Sequence, residues 1–186
     1  MISCSKMQPG TAEGKNKYSA DCLLCPSPLG FLRLRADEGF ITGLDFCAGP
    51  APGREESLPP LHNHSLLQLA ATQLAEYFAG RRKKFDLPLK PAGTPFQQKV
   101  WEALCAIPYG ETRSYREIAE AVASPLAFRA VGMANHKNPI AIIIPCHRVI
   151  GANGTLTGYA GGLAYKQALL ALEQGRPLLS GPVSLF

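Results

Sequence analysis

The chain has 186 residues, 46% of them hydrophobic and 18% charged, with a formal net charge of +5. That is enough apolar material for a packed core of one large or two small domains, and it excludes disorder over the whole length. The longest strongly apolar run, 140–144, is far too short to cross a bilayer, and no signal-peptide stretch opens the chain, so a cytoplasmic protein (or a nuclear one, in a cell with a nucleus) is the expectation.

In chain order, residues 1–17 are polar and read as a loose arm. Over 18–47 the pattern is strand-like. Leu32 and Leu34 share one face, Phe31, Arg33 and Arg35 the other, and turn signals at Ser27-Pro28-Leu29-Gly30 and Asp37-Glu38-Gly39 break the run into an antiparallel meander of three strands. The proline- and glycine-rich stretch 48–60 reads as a loop. A helix is expected over 62–79 from Leu66, Leu69, Ala70, Leu74, Tyr77 and Phe78, with Gly80 as its stop. Arg81-Arg82-Lys83-Lys84 follows. It fits a solvated helix end complementing the dipole, or a phosphate contact. Pro88, Pro91, Gly93 and Pro95 mark a linker, and the domain boundary is placed near 92.

The second half has clearer helix starts. Thr94-Pro95-Phe96-Gln97 and Ser114-Tyr115-Arg116-Glu117 are capping boxes. Ser124-Pro125 is expected to open a third helix over 126–135, which makes a helix-turn-helix with the second. The run 140–144 reads as a short buried strand, 151–154 as a turn, and a last helix runs from about 164 to 173–175.

Cysteines number six. Cys22 and Cys25 have zinc-knuckle spacing, and His62 and His64 could complete a site, but an alternating strand with small thiols accounts for the pair as well. The sharper feature is Cys146-His147. A free thiol is only about 3% ionised at pH 7, so a nucleophilic cysteine needs a proton acceptor nearby. His147 supplies one, although neighbours on a strand point apart and a bend or bridging water would be needed. Glu173 closes an apolar helix, where the dipole disfavours a carboxylate. A histidine or cationic partner would explain it.

The ordered segments Pro95-Phe96-Gln97, Val100-Trp101, Ile107-Pro108-Tyr109-Gly110, Ser114-Tyr115, Arg129-Ala130-Val131-Gly132, Asn138-Pro139, Ile144-Pro145-Cys146-His147-Arg148-Val149 and Gly158-Tyr159-Ala160-Gly161-Gly162-Leu163 resemble the O6-alkylguanine-DNA alkyltransferases, also called methylated-DNA–protein-cysteine methyltransferases. The resemblance is dense over 94–174 and fainter over 18–47. It implies a ribonuclease H-like α/β domain with an antiparallel sheet over 1–92, and a mostly α-helical, winged-helix-like domain with the helix-turn-helix over 93–186. It implies a single-turnover DNA repair protein that extrudes O6-alkylguanine from duplex DNA and moves the alkyl group irreversibly to Cys146.

Residue by residue, His147 would take the thiol proton through a water, and Glu173 would hold His147 in the right tautomer. Asn138 would organise the segment and Tyr115 would donate to guanine N3. Arg129 would fill the place of the extruded base, with Ala127 and Ala130 close to the minor groove. The carbonyls of Cys146 and Val149 would accept from the guanine amine, the amide of Ala160 would face O6, Met133 and Tyr159 would form walls, and Gly161 would let backbone approach the base. Phe128 stands where relatives carry a small residue, so it either turns inward or alters the groove contact. Asp37 and Thr42 stand where zinc-bearing relatives have cysteine and histidine, so no metal and no cofactor are expected. The implied partner is a DNA duplex bound by a monomer, with cooperative assembly open. The rivals are a lesion binder without transfer, which in that family has tryptophan for the cysteine, a thiol hydrolase, and a piece of a larger adaptive-response protein.

Overall fold

A computed structural model describes residue 8 and residues 21–47, 49, 65–159 and 161–176. The expected arm, the 48–60 loop, His62, His64 and Ala160 therefore lie largely or wholly outside the described residues. The meander is present as β1 (Asp21–Ser27), β2 (Gly30–Asp37) and β3 (Phe40–Cys47), all antiparallel in the order β1-β2-β3. Its period-two pattern works as read: Leu32, Leu34 and Ala36 are buried while Arg33 stays exposed. Helix α1 (Ser65–Phe78) packs on the buried face through Leu67, Ala70, Leu74 and Tyr77. The buried stripe is centred one residue from the expected Leu66 and Leu69, and Leu69 is exposed.

The second half is helical: α2 (Pro95–Cys105), α3 (Tyr115–Ala121), α4 (Phe128–His136) and α5 (Leu163–Glu173). Both capping boxes close as read, Thr94 with Gln97 and Ser114 with Glu117. Two short strands, β4 (Arg113–Ser114) and β5 (Val149–Ile150), pair in parallel and bring the start of α3 beside the Cys146 segment. Among the described residues no helix is long and apolar enough to span a membrane, and no cluster of metal-ligating side chains occurs.

Two expected elements differ. The third helix begins at Phe128 and not at Leu126, because Ser124 caps nothing: its hydroxyl bonds Val122 O, its carbonyl closes a turn with Ala127 N, and Ala123 sits at φ 55°. The run 140–144 is not a strand. Apart from a single bridge between Ile140 and Leu44 it is a tight turn, with Ile142 at φ 67°, Ile143 N bonded to Ala141 O and Ile144 N to Ile140 O. An apolar run reports burial and carries no period, and here burial is achieved with a folded-back chain.

That turn docks on the sheet. Leu44 N donates to Pro139 O and Ala141 N donates to Leu44 O, so the last strand of the first half fixes the segment leading to Cys146. The buried apolar cluster is continuous from Cys25 to Leu169 across residue 92, and Phe46 stacks on Tyr165 at 4.1 Å between centroids.

Candidate active site

Cys146, His147 and Arg148 form one turn of 3-10 helix after Pro145. This turn is the bend that a strand would lack: it lets the thiol and the two following side chains take different directions from consecutive positions. Cys146 is buried, and His147 is completely so.

Glu173 is the centre of the polar network. Its Oε1 accepts from Tyr77 OH at 2.8 Å, from Arg148 Nη2 at 2.9 Å and lies 2.9 Å from His147 Nε2. Its Oε2 accepts from Arg148 Nε at 2.9 Å and from the Gly110 amide at 3.0 Å. Arg148 also donates to Ile107 O at 2.7 Å. Gly110 can deliver its amide because it sits at φ 80°, and a Cβ there would lie 3.1 Å from the Glu173 carbonyl oxygen. Burial raises the Glu173 pKa, but the hydrogen bonds and charges of His147 and Arg148 outweigh it and hold the carboxyl well below its usual range.

An ionised Glu173 can only accept, so it selects the His147 tautomer with the proton on Nε2. Nδ1 is then the acceptor, and it is buried without a protein partner among the described residues. Burial lowers the His147 pKa, the attraction of Glu173 opposing it, so the ring is neutral at pH 7 and able to take a proton. Burial pushes the Cys146 thiol up to about 11, against the Asn138 hydrogen bond and the Lys166 charge. At pH 7 only about one molecule in ten thousand is thiolate at rest. The site therefore holds a protonated thiol, and any nucleophilic role requires a base at the moment of reaction.

Asn138 fixes the sulfur. Its Nδ2 donates to Ile144 O at 2.8 Å and to Cys146 Sγ at 3.1 Å, while its Oδ1 accepts from Ile140 N at 3.0 Å. One amide thus closes the 140–144 turn and marks the position of the thiol. Tyr115 opens α3, and its hydroxyl donates to Thr157 O at 2.9 Å. Gly158, at φ 56°, leaves that hydroxyl room: a Cβ there would lie 3.4 Å from it. Val149 and Tyr159 are buried. Arg129, Ala130 and Met133 are exposed on α4, while Ala127 is half-buried. Gly161 is half-buried, and a Cβ on it would lie 3.1 Å from Tyr159 and 3.2 Å from Phe46. The expectation for Ala160 falls outside the described residues.

Four contributors were not among the sequence candidates. Arg148 shares Glu173 with His147, and Tyr77 reaches the same carboxylate from α1, 96 positions away. Lys166 is fully buried, donates to Val149 O at 2.5 Å and to Thr157 O at 2.8 Å, and burial lowers it to about 8. Asn135 donates to Cys146 O at 3.1 Å. Of the two carbonyls expected to meet the guanine amine, that of Cys146 thus already accepts from Asn135 and from the Val149 amide, and that of Val149 accepts from Lys166. Lys166 carried a signal: it stands three, four and seven positions before Leu169, Leu170 and Glu173, which puts it on the buried face of that helix. Tyr77 carried none, because its partner is settled only by tertiary structure.

Residues 95–175 match the family model described as the DNA-binding domain of 6-O-methylguanine DNA methyltransferase, and residues 22–91 match that of its ribonuclease-like domain. A methylated-DNA–protein-cysteine methyltransferase of Methanosarcina barkeri is 52% identical over 150 residues, which cover 80% of this chain and 93% of that one. One from Mycobacterium bovis is 50% identical over 155 residues, covering 81% and 90%. Among solved structures, Mycobacterium tuberculosis OGT in complex with DNA aligns at TM-score 0.70 with 45% identity, covering 87% of this chain and 95% of that one. The M. tuberculosis O6-methylguanine methyltransferase aligns at 0.72 with 45% identity, covering 90% and 98%.

Proposed function

The chain belongs to the 6-O-methylguanine DNA methyltransferase family and repairs DNA by alkyl transfer, and we propose that Cys146 is the acceptor and that Glu173, His147 and Asn138 arm it. The observation that carries this is one buried turn that holds a protonated thiol beside a poised base: Asn138 on the Cys146 sulfur, and at the next position a neutral His147 fixed by Glu173 with Nδ1 left as acceptor.

In the step proposed, the Cys146 proton passes to His147 Nδ1 through a water. The sulfur pair attacks the alkyl carbon, the bond between that carbon and guanine O6 breaks, and its electrons stay with guanine. Tyr115 OH gives up its bond to Thr157 O and transfers its proton to guanine N3, so that the base leaves neutral; the phenolate left on Tyr115 is reprotonated from solvent as His147 releases its extra proton. His147 becomes cationic beside Glu173, which is already ionised and needs no reorganisation. Lys166, near enough to favour charge on Cys146, stabilises the thiolate as it develops. The product is a thioether, so each molecule reacts once.

Tyr159 and Met133 are read as pocket walls, the backbone at Cys146, Val149, Ala160 and Gly161 as the contact with the guanine edge, and Arg129 as the side chain that takes the place of the extruded base, with Ala127 and Ala130 at the minor groove. We also read 1–92 as a ribonuclease H-like domain and 93–186 as a winged-helix-like domain, acting as a monomer in the cytoplasm, with neither metal nor cofactor. In support of the groove reading, Arg129 and Ala130 lie exposed on the α4 surface, away from its buried residues Val131, Ala134 and Asn135.

Stoichiometry tests the proposal. With excess duplex carrying one O6-methylguanine per molecule, the protein should stop after one methyl group per chain. Continued turnover would mean hydrolysis, and tight binding without a covalent product would leave a lesion binder.

A further inference from the structure

Five large apolar side chains are exposed among the described residues, and three of them cluster at α4: Leu126 at 90%, Phe128 at 41% and Met133 at 55% relative exposure. The core of α4 is Val131, Ala134 and Asn135. At 100° per residue, Arg129, Met133 and His136 share the side facing away from that core. Phe128 lies on a different edge, above Gly132 at i+4. That edge is turned toward the site: a Cβ on Gly132 would lie 3.8 Å from the Tyr115 ring. Phe128 and Arg129 therefore diverge, one toward the rim at Tyr115 and the other outward.

The surroundings suit a polyanion. No aspartate or glutamate occurs between Glu120 and Glu173, while Arg129, His136 and Lys137 are exposed on or just after α4. Glu117 and Glu120 lie on the neighbouring α3, but α4 itself carries no acid, and an apolar side chain exposed among its cations matches a partner with charged edges and stacked apolar faces.

We infer that Phe128 is an apolar wedge that enters the minor groove of the substrate duplex and packs on the base step next to the extruded nucleotide, on the pocket side of Arg129, with Leu126 widening the contact. This rests on the alkyl-transfer reading of the site and adds a residue that acts on DNA and not on the chemistry. It also settles the orientation of Phe128: the ring is not turned into the core.

Single-turnover methyl transfer is measured for the full chain and Phe128→Ala with two substrates, a duplex carrying O6-methylguanine and the free O6-methylguanine base. On the duplex, Phe128→Ala should react about 5- to 150-fold more slowly, the range that stacking one base on an aromatic ring supplies. On the free base it should stay within about two-fold, since the ring touches no reacting atom. Should alanine lower the melting temperature, Phe128→Gln, which keeps side-chain length and helix propensity without an apolar wedge, is read by the same ratio. A duplex rate equal to wild type would overturn the wedge. An equal loss on both substrates would also overturn it, placing Phe128 in the fold or the pocket. If the unsubstituted chain transfers from neither substrate, the alkyl-transfer reading fails first.

Discussion

Replacing Glu173 with glutamine removes one charge from a carboxylate that takes donors from Tyr77, His147, Arg148 and the Gly110 amide. An amide is nearly isosteric, but it has one acceptor oxygen, and its NH2 must point at groups that also donate. Arg148, 4% exposed, would keep only Ile107 O and the face of Tyr109 at 5.8 Å. Removing one partner of a buried ion pair costs about 3–5 kcal/mol. Set against a usual total of about 5–15 kcal/mol, that is a large fraction. For a chain of this size it corresponds to a fall in melting temperature of about 6–20 °C. Tyr77→Phe removes a single hydrogen bond to the same carboxylate and should cost less, about 1–3 kcal/mol. Thermal and urea unfolding of both variants provide the measurement. A Glu173→Gln melting temperature within about 2 °C of wild type, or a larger loss for Tyr77→Phe than for Glu173→Gln, would refute the view that this carboxylate is the electrostatic centre of the site.

Asn138→Ala should cost about 1–3 kcal/mol by leaving Ile140 N without its acceptor, and slow transfer by freeing the sulfur; equal unfolding curves would contradict it. Tyr115→Phe should slow transfer by about 10²-fold with little change in stability, because the hydroxyl is at an exposed rim; single-turnover kinetics and a melt separate the two. Cys146 in the folded chain should react with iodoacetamide with no titration step near the free-thiol value of about 8.5, the rise coming only toward pH 11. Stability should fall on acidification in two stages. His147 has a lowered folded pKa, so its contribution is full above the unfolded value of about 6.5 and is lost below it. Glu173 also has a lowered pKa, so its contribution is full above about 4.3 and disappears as pH falls further. Urea midpoints from pH 8 to pH 3 test both, and a midpoint that rose on acidification would contradict the signs.

Much of the site was legible because its chemistry is local. Cys146 and His147 are adjacent, and Glu173 betrayed itself as an acid where a helix dipole disfavours one. The capping boxes at Thr94 and Ser114 fixed two helix starts because the side chains that satisfy those amides lie within three residues. Ser124-Pro125 offers a cap residue and a proline but has Ala127 where glutamate or glutamine would close the box, and α4 starts later. The 140–144 run misled because burial in a turn and burial in a strand look alike in an apolar sequence. Tyr77 and Arg148 were illegible as partners of Glu173, since a carboxylate's donors are chosen by packing across 25 to 96 positions. Phe128 was visible as a departure, and its exposure showed that the ring is not packed into the core.

The central claim is that Cys146 receives the alkyl group. The most direct measurement is peptide mapping by mass spectrometry after reaction with a duplex carrying O6-methylguanine, with Cys146→Ser alongside. One methyl group on the peptide holding Cys146, and none on the variant, is the result expected. A methyl group on any of the other five cysteines, Cys4, Cys22, Cys25, Cys47 or Cys105, or an equal gain in Cys146→Ser, would contradict the account.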